Sequence, residues 1–256
     1  MAGGVSYAAD GRLGTITLDN PPANSYAIEF MAELGHAIRA ADEDPDARIV
    51  VVRSAGEKFF SAGADIKRFL ANDVDANMEM IRLAHETLSA IARSRKLFVA
   101  CIAGHALGGG LEMALACDVR YAVAGRYRMG TPEVTLGLLP GNGGTQRLPR
   151  LIGVGPALEL LTTGRQVGPD EALRLGLVSE VFDDEAALGA HVQSLTELPP
   201  LAISEIKRAV YLGVQQPLAD GLELERELIE GLFRSSDARE GLTAFSEKRA
   251  PHFVGA

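Results

Sequence analysis

Three short stretches of this 256-residue chain combine uncovered backbone donors with carboxyl groups. Gly108-Gly109-Gly110-Leu111-Glu112 is entered from the apolar run 97–103 through Gly104-His105-Ala106-Leu107. Three glycines leave N–H groups bare where a helix begins, and bare donors beside an acid suggest oxyanion chemistry. Glu112 falls in the first turn of that helix, where it reads equally as a base and as a charge that favours the helix start. Phe59-Phe60-Ser61-Ala62-Gly63-Ala64-Asp65-Ile66-Lys67 sets small residues before a charged turn, which alone is an ordinary strand-to-helix loop. In the third stretch, 130–147, Thr131 can cap a helix, Pro132 suits its first position and Glu133 its first turn. Each has a bland account; their combination is what points to chemistry.

The elements that must position these groups follow from hydrophobic period and turn residues. Residues 14–18 alternate as a half-buried strand, Asn20-Pro21-Pro22 breaks it, and 28–42 is an amphipathic helix with Ile28, Met31, Leu34 and Ile38 on one face. Residues 49–52 predict a buried strand, 54–63 a loop, and 78–92 a helix carrying Ile81, His85, Leu88 and Ile91. A strand over 97–103, a buried helix over 111–116 and a strand over 119–123 come next, and the 140–144 loop opens a further helix. Strands alternating with helices imply an α/β core. From Gly153 onward the pattern is almost entirely helical, through 201–212, 222–233 and 238–248. We expect a core over 1–195 and a helical appendage over 196–256 that packs on another subunit, with no repeat-array period in the sequence.

Composition narrows the function. At 47% hydrophobic and 23% charged the chain can bury a large core, and its longest stretch free of charge, 97–111, is too short to span a membrane. The N-terminal residues carry neither a basic segment nor an apolar core of a secretory signal, so a soluble, cytoplasmic protein is expected. Cys101 and Cys117 read as buried inert thiols. His36, His85, His105, His191 and His252 are scattered, so no metal is expected. A net charge of −9 disfavours nucleic-acid binding but leaves room for a small anionic ligand at a local basic patch. Lys58, Lys67 and Arg68 flank one glycine-rich segment; Arg93, Arg95 and Lys96 flank the other. No phosphate-binding loop, serine nucleophile elbow or dinucleotide fingerprint is present.

Taken together, Ser61 to Lys67, Gly104 to Glu112, Cys117-Asp118, Pro132-Glu133, the 140–147 loop and Arg239-Glu240-Gly241-Leu242-Thr243-Ala244-Phe245-Ser246-Glu247-Lys248-Arg249 closely resemble the enoyl-CoA hydratase/isomerase family, the crotonase superfamily. The likeness covers nearly the whole chain. It implies an α/β fold of ββα units wound into a spiral, C-terminal helices that assemble trimers or hexamers, and acyl-CoA thioester substrates with no further cofactor. By the same resemblance the N–H groups of Ala64 and Gly109 hold the thioester oxygen, and Ala64, Asp65, Ile66 and Lys67 line the CoA site.

The physical logic agrees. Polarising a thioester makes the β-carbon of an enoyl chain electrophilic and puts negative charge on the carbonyl oxygen, where removing one donor costs roughly 2.7–4 kcal/mol. Water addition needs a base for the water and an acid for the α-carbon. Glu112 and Glu133 match the family's two glutamates, Glu112 as base toward water and Glu133 as proton donor to the α-carbon. Two carboxyls favour hydration over Δ3,Δ2-enoyl-CoA isomerisation, which can run on one, and the acidic balance argues against the RNA-binding role of some relatives. Both helix starts favour the ionised acids, so burial or mutual repulsion must oppose them if one is to stay protonated. The stretch Asn20 to Ala27 departs from the family's commoner Asn-Ala-Leu pattern.

Overall fold

The computed structural model describes residues 4–256. Strands β1 (Val5–Asp10) and β2 (Leu13–Leu18) pair antiparallel, and every later pairing between strands is parallel. Helix α1 (Ile28–Glu43) leads to a motif that occurs three times: a strand of a large sheet, a short strand of a second sheet, then helix. The first turn is β3 (Ile49–Ser54), β4 (Phe59–Ser61), α2 (Ile66–Ala71) and α3 (Val74–Arg93). The second is β5 (Leu97–Ile102), β6 (His105–Leu107) and α4 (Gly109–Ala116). The third is β7 (Val119–Val123), β8 (Met129–Gly130) and a 3-10 turn, Pro132–Leu136. With β9 (Glu180–Phe182) at the far edge, the large sheet runs β1-β2-β3-β5-β7-β9 and the small one β4-β6-β8. This is the expected ββα spiral. Its repeat lies in the backbone, not in a sequence period.

Composition explains the layers. On the large sheet Val50, Val52, Phe98 and Ala100 face one apolar cluster, while Ile49, Val51 and Val99 face a second with Tyr121, Val123, Leu188 and Val192. Strands buried on both faces read as continuous apolar runs, as 49–52 does. The chain turns from β5 into β6 at Gly104, where a Cβ would lie 2.8 Å from the Lys58 carbonyl carbon, so the corner requires the residue without one. The stretch 54–63 is thus not all loop: Phe59–Ser61 pairs with His105 and Ala106.

Beyond the spiral lie α5 (Gly144–Ile152), α6 (Val154–Thr163), α7 (Pro169–Leu175), α8 (Glu185–Leu195), α9 (Pro200–Gly213), α10 (Leu218–Phe233) and α11 (Ser236–Glu247). One buried ion pair ties α9 to the core. Lys207 Nζ donates to Asp118 Oδ2 at 2.7 Å and to the carbonyls of Ile91 and Lys96, while Tyr211 donates to Asp118 Oδ1 and the Phe98 N–H to Oδ2. Burial outweighs the pairing for both, lowering the Lys207 pKa and raising that of Asp118. The final residues fold back: Arg48 donates to the Phe253 carbonyl, and Asp237 accepts from the Val254 and Gly255 N–H groups.

Breaking a buried pair from one side leaves an uncompensated charge. Lys207→Met is expected to lower unfolding free energy by about 3–5 kcal/mol in urea titrations, and pairing it with Asp118→Leu should recover part of that loss.

Candidate active site

The two bare donors of the sequence come side by side. Tyr26 forms a parallel bridge with Ala64: its N–H donates to the Gly63 carbonyl and its carbonyl accepts from the Asp65 N–H. In that geometry the N–H of Ala64 itself turns away from Tyr26, and it donates to nothing among the described residues. The Gly109 N–H, first of α4, is equally free. Gly63, at φ +89°, joins them: a Cβ there would lie 2.8 Å from the Leu107 carbonyl oxygen and 3.0 Å from the Gly109 nitrogen. A side chain at 63 would therefore cover the second donor. On the other side, a Cβ on Gly110 would collide with the Ser61 backbone.

Glu133 arrives through the small sheet. Pairing of Leu107 with Gly130, and the Gly108 N–H donating to the Gly130 carbonyl at 2.8 Å, set the 3-10 turn against the glycine stretch. A Cβ on Gly108 would lie 2.7 Å from Glu133 Oε1. The helix expected from Thr131 onward is a 3-10 turn, and the Thr131 hydroxyl makes no capping bond. Among the described residues, four fully buried side-chain polar atoms lack a partner; Thr131 Oγ1, Glu133 Oε2 and Asn142 Oδ1 are three of them. A buried polar atom without a partner calls for an explanation, and a catalytic role is one of the few that fit.

Glu112 is 1% exposed and held on one oxygen only. Its Oε1 accepts from the N–H groups of Asn142 and Gly144, each at 2.7 Å, and Oε2 has no hydrogen bond among the described residues. Gly144 is needed for this clamp, since a Cβ would lie 3.0 Å from that Oε1. The loop is itself latched: Arg147 donates to the Asn142 carbonyl, the His85 ring nitrogen meets the Gly141 carbonyl, and Asn142 Nδ2 donates to the Tyr26 hydroxyl. Burial, opposed by the Gly144 N–H and reinforced by Glu133, pushes the Glu112 carboxyl up to about 7. Burial also raises Glu133. At both acids desolvation wins over the helix start.

Other expected residues sort differently. Asp65 spends its carboxylate capping α2, accepting from the Lys67 and Arg68 N–H groups, which fixes the loop carrying Ala64. Ile66 and Lys67 are exposed beside it. Arg95 and Lys96 lie before β5, at the opposite end of the strand from the glycines; Arg95 pairs with Glu205, and Lys96 donates to the carbonyls of Ala41 and Asp44. They are structural, not part of a basic patch at the site. His85, placed by its period on the apolar face of α3, is exposed; the buried face is Met80, Ala84, Thr87, Leu88 and Ile91. Cys117 is buried as expected, but Cys101 is only half-buried; burial pushes both thiols up to about 12, which disfavours the reactive thiolate. The sequence did not single out Tyr26 or Asn142 as site residues, although Tyr26 sits inside the stretch that departs from the usual pattern.

A family profile described as enoyl-CoA hydratase/isomerase matches residues 9–256. A protein named probable enoyl-CoA hydratase, from Bacillus subtilis (strain 168), is 37% identical over 257 residues, covering 98% of each chain. A short-chain-enoyl-CoA hydratase of Clostridium acetobutylicum is 34% identical, covering 94% of this chain and 93% of its own. Among solved structures, an enoyl-CoA hydratase from Geobacillus kaustophilus HTA426 superposes with a TM-score of 0.95 at 42% identity, over 98% of this chain and 97% of that one.

The raised Glu112 pKa has a stability consequence. A carboxyl that the fold prefers protonated costs stability as pH rises from the ordinary value, about 4.3, to about 7, and that cost persists above it. Glu112→Gln should therefore unfold several degrees above the wild type at pH 8, with the gap closing toward pH 4, as read by differential scanning fluorimetry.

Proposed function

The chain belongs to the enoyl-CoA hydratase/isomerase family, and on that footing we propose that it is an enoyl-CoA hydratase, adding water to a trans-2-enoyl-CoA to give the 3-hydroxyacyl-CoA. The observation that carries this reading is Glu112: one oxygen clamped by two N–H groups, the other unpaired, with Glu133 across the glycine turn and two free N–H donors alongside.

In the proposed reaction the Ala64 and Gly109 N–H groups hold the thioester oxygen and stabilise the charge that develops there. Glu112, ionised, takes a proton from water through Oε2 as the water oxygen bonds to C3. Glu133, protonated, delivers a proton to C2, so the chain loses its double bond and gains the elements of water. The buried unpartnered Oε2 of Glu133 suits that role, and its raised pKa favours the acid form. These groups suffice without metal or redox cofactor. Ala64, Asp65, Ile66 and Lys67 line the CoA site on this reading, with Asp65 holding the loop and exposed Lys67 supplying charge for the anionic ligand.

The assembly belongs to the same reading: a homotrimer, or two stacked as a hexamer, in the cytoplasm. Its support is apolar surface on the 196–256 region. Helix α10 has no buried residue and exposes Leu218, Leu222, Ile229 and Phe233, while α11 exposes Leu242 and Phe245. Leu218, Leu222, Ile229 and Phe233 recur at the spacing of one helix face, and an exposed apolar face of this kind is what a partner subunit would cover. No helix among the described residues is long and apolar enough to cross a membrane.

With crotonyl-CoA and water alone, the conjugated-thioester absorbance should fall, while Glu133→Gln and Glu112→Gln each lose roughly 100-fold or more in turnover. An unchanged absorbance across short and long trans-2-enoyl-CoAs rejects the reading, and faster conversion of a 3-enoyl-CoA to its conjugated isomer would assign isomerase instead. Light scattering should give three or six chains; a monomer rejects the assembly. A pH–rate profile of kcat/KM should drop below about pH 7, where Glu112 takes up its proton.

A further inference from the structure

Tyr26 meets the supports of both free donors and of Glu112. It is 1% exposed and stacks on Phe30 at 6.4 Å between ring centres. Its backbone brackets Ala64, donating to the Gly63 carbonyl and accepting from the Asp65 N–H, and so fixes the direction of the first donor. Its phenol occupies the space that a side chain on Gly109 would take, a Cβ there colliding with the hydroxyl oxygen and the ring. Its hydroxyl is bonded to the Asn142 side chain, and the Asn142 backbone N–H is one of the two that clamp Glu112. Either orientation of the Asn142 amide keeps that bond, with donor and acceptor exchanged.

We propose that Tyr26 is a positioning residue for hydration, its hydroxyl acting through Asn142 to hold the Glu112 carboxyl in register with the Gly109 donor; this role rests on the hydratase reading. A residue that merely filled the space under Gly109 would need only the ring. The hydroxyl adds a tether on the one loop that holds Glu112, and that loop contributes nothing else to hold the carboxyl than the N–H groups of Asn142 and Gly144. Burial, with Glu112 and Glu133 nearby, raises the phenol pKa, so it stays a neutral hydroxyl throughout the working range. Hydration depends on the aim of Glu112 at water, whereas substrate affinity depends on the CoA contacts, so loss of the tether falls on turnover and not on binding.

Tyr26→Phe keeps the ring and removes the tether. With crotonyl-CoA it should lower kcat roughly 10-fold, the size of one buried hydrogen bond's contribution, and leave KM within about twofold. Calorimetric binding of saturated butyryl-CoA should match the wild type. The groups facing Glu112 are Glu133 from the 3-10 turn, Arg147 from α5 and Tyr26 itself. The first two remain in the variant. As the N–H groups that hold the Glu112 proton affinity down slacken, the acid limb of the pH–rate profile should move to higher pH.

Asn142→Ala should give the same kcat loss and the same limb shift, and the double variant should be no slower than Asn142→Ala alone. A Tyr26→Phe enzyme with wild-type kcat and acid limb, or losses that multiply in the double variant, overturns the role. Should Tyr26→Phe fail to fold, Asn142→Ala carries the test, with wild-type kinetics overturning it. A wild type inert toward all trans-2-enoyl-CoAs ends the hydratase reading and this role with it, whereas an active wild type with an indifferent Tyr26→Phe ends this role alone.

Discussion

Two backbone segments, Ser61 to Ala64 and Gly108 to Gly110, approach so closely that no side chain fits between them. That contact is what the rest of the molecule is arranged to make. It needs two sheets, because the large one carries the chain forward while the small one, β4-β6-β8, brings the ends of successive turns into register. It needs the corner at Gly104, without which β6 could not start against Lys58. It also explains why each of three consecutive glycines is required for a different reason: Gly108 faces Glu133, Gly109 faces Tyr26, and Gly110 faces the Ser61 backbone.

Desolvation governs the electrostatics at both ends of the core. At the glycine stretch, both carboxyls sit at helix starts that favour their charge, yet burial raises both. Beneath α9 the same desolvation acts on Lys207 and Asp118, but there each charge has a partner at 2.7 Å and further hydrogen bonds. The contrast separates structure from chemistry. The paired ions hold α9 on the core, and the carboxyls whose second oxygens lack partners among the described residues are the ones left able to exchange protons.

Periodicity located the long elements well: β2, α1, β3, α3, β5, β7, α9, α10 and α11 all appear within a few residues of where the apolar pattern puts them. It was blind to strands of two or three residues, β4, β6, β8 and β9, which are too short to show a period and owe their existence to pairing with distant chain. Strand β1 escaped because half of its residues are exposed and small. Proximity along the chain misled in one place: Arg95 and Lys96 are near the glycines in sequence but a strand length away in space. Glu112, Glu133 and the Ala64 and Gly109 N–H groups are legible as candidates because they occupy motifs, while the link between Tyr26 and Asn142 is a contact between segments 116 residues apart.

The spiral also has a modular consequence. Its first turn supplies the Ala64 donor, its second the Gly109 donor and Glu112, and its third Glu133, each at the point where a small-sheet strand ends and helix begins. The two free donors and the two carboxyls are thus spread over three turns of one scaffold, with Gly109 and Glu112 sharing the second. A substitution at the end of the third turn can exchange Glu133 while the two free N–H donors, built on the first two turns, stay where they are. Such a scaffold can change the reaction it performs by altering one turn at a time, with the core that holds the turns together left untouched.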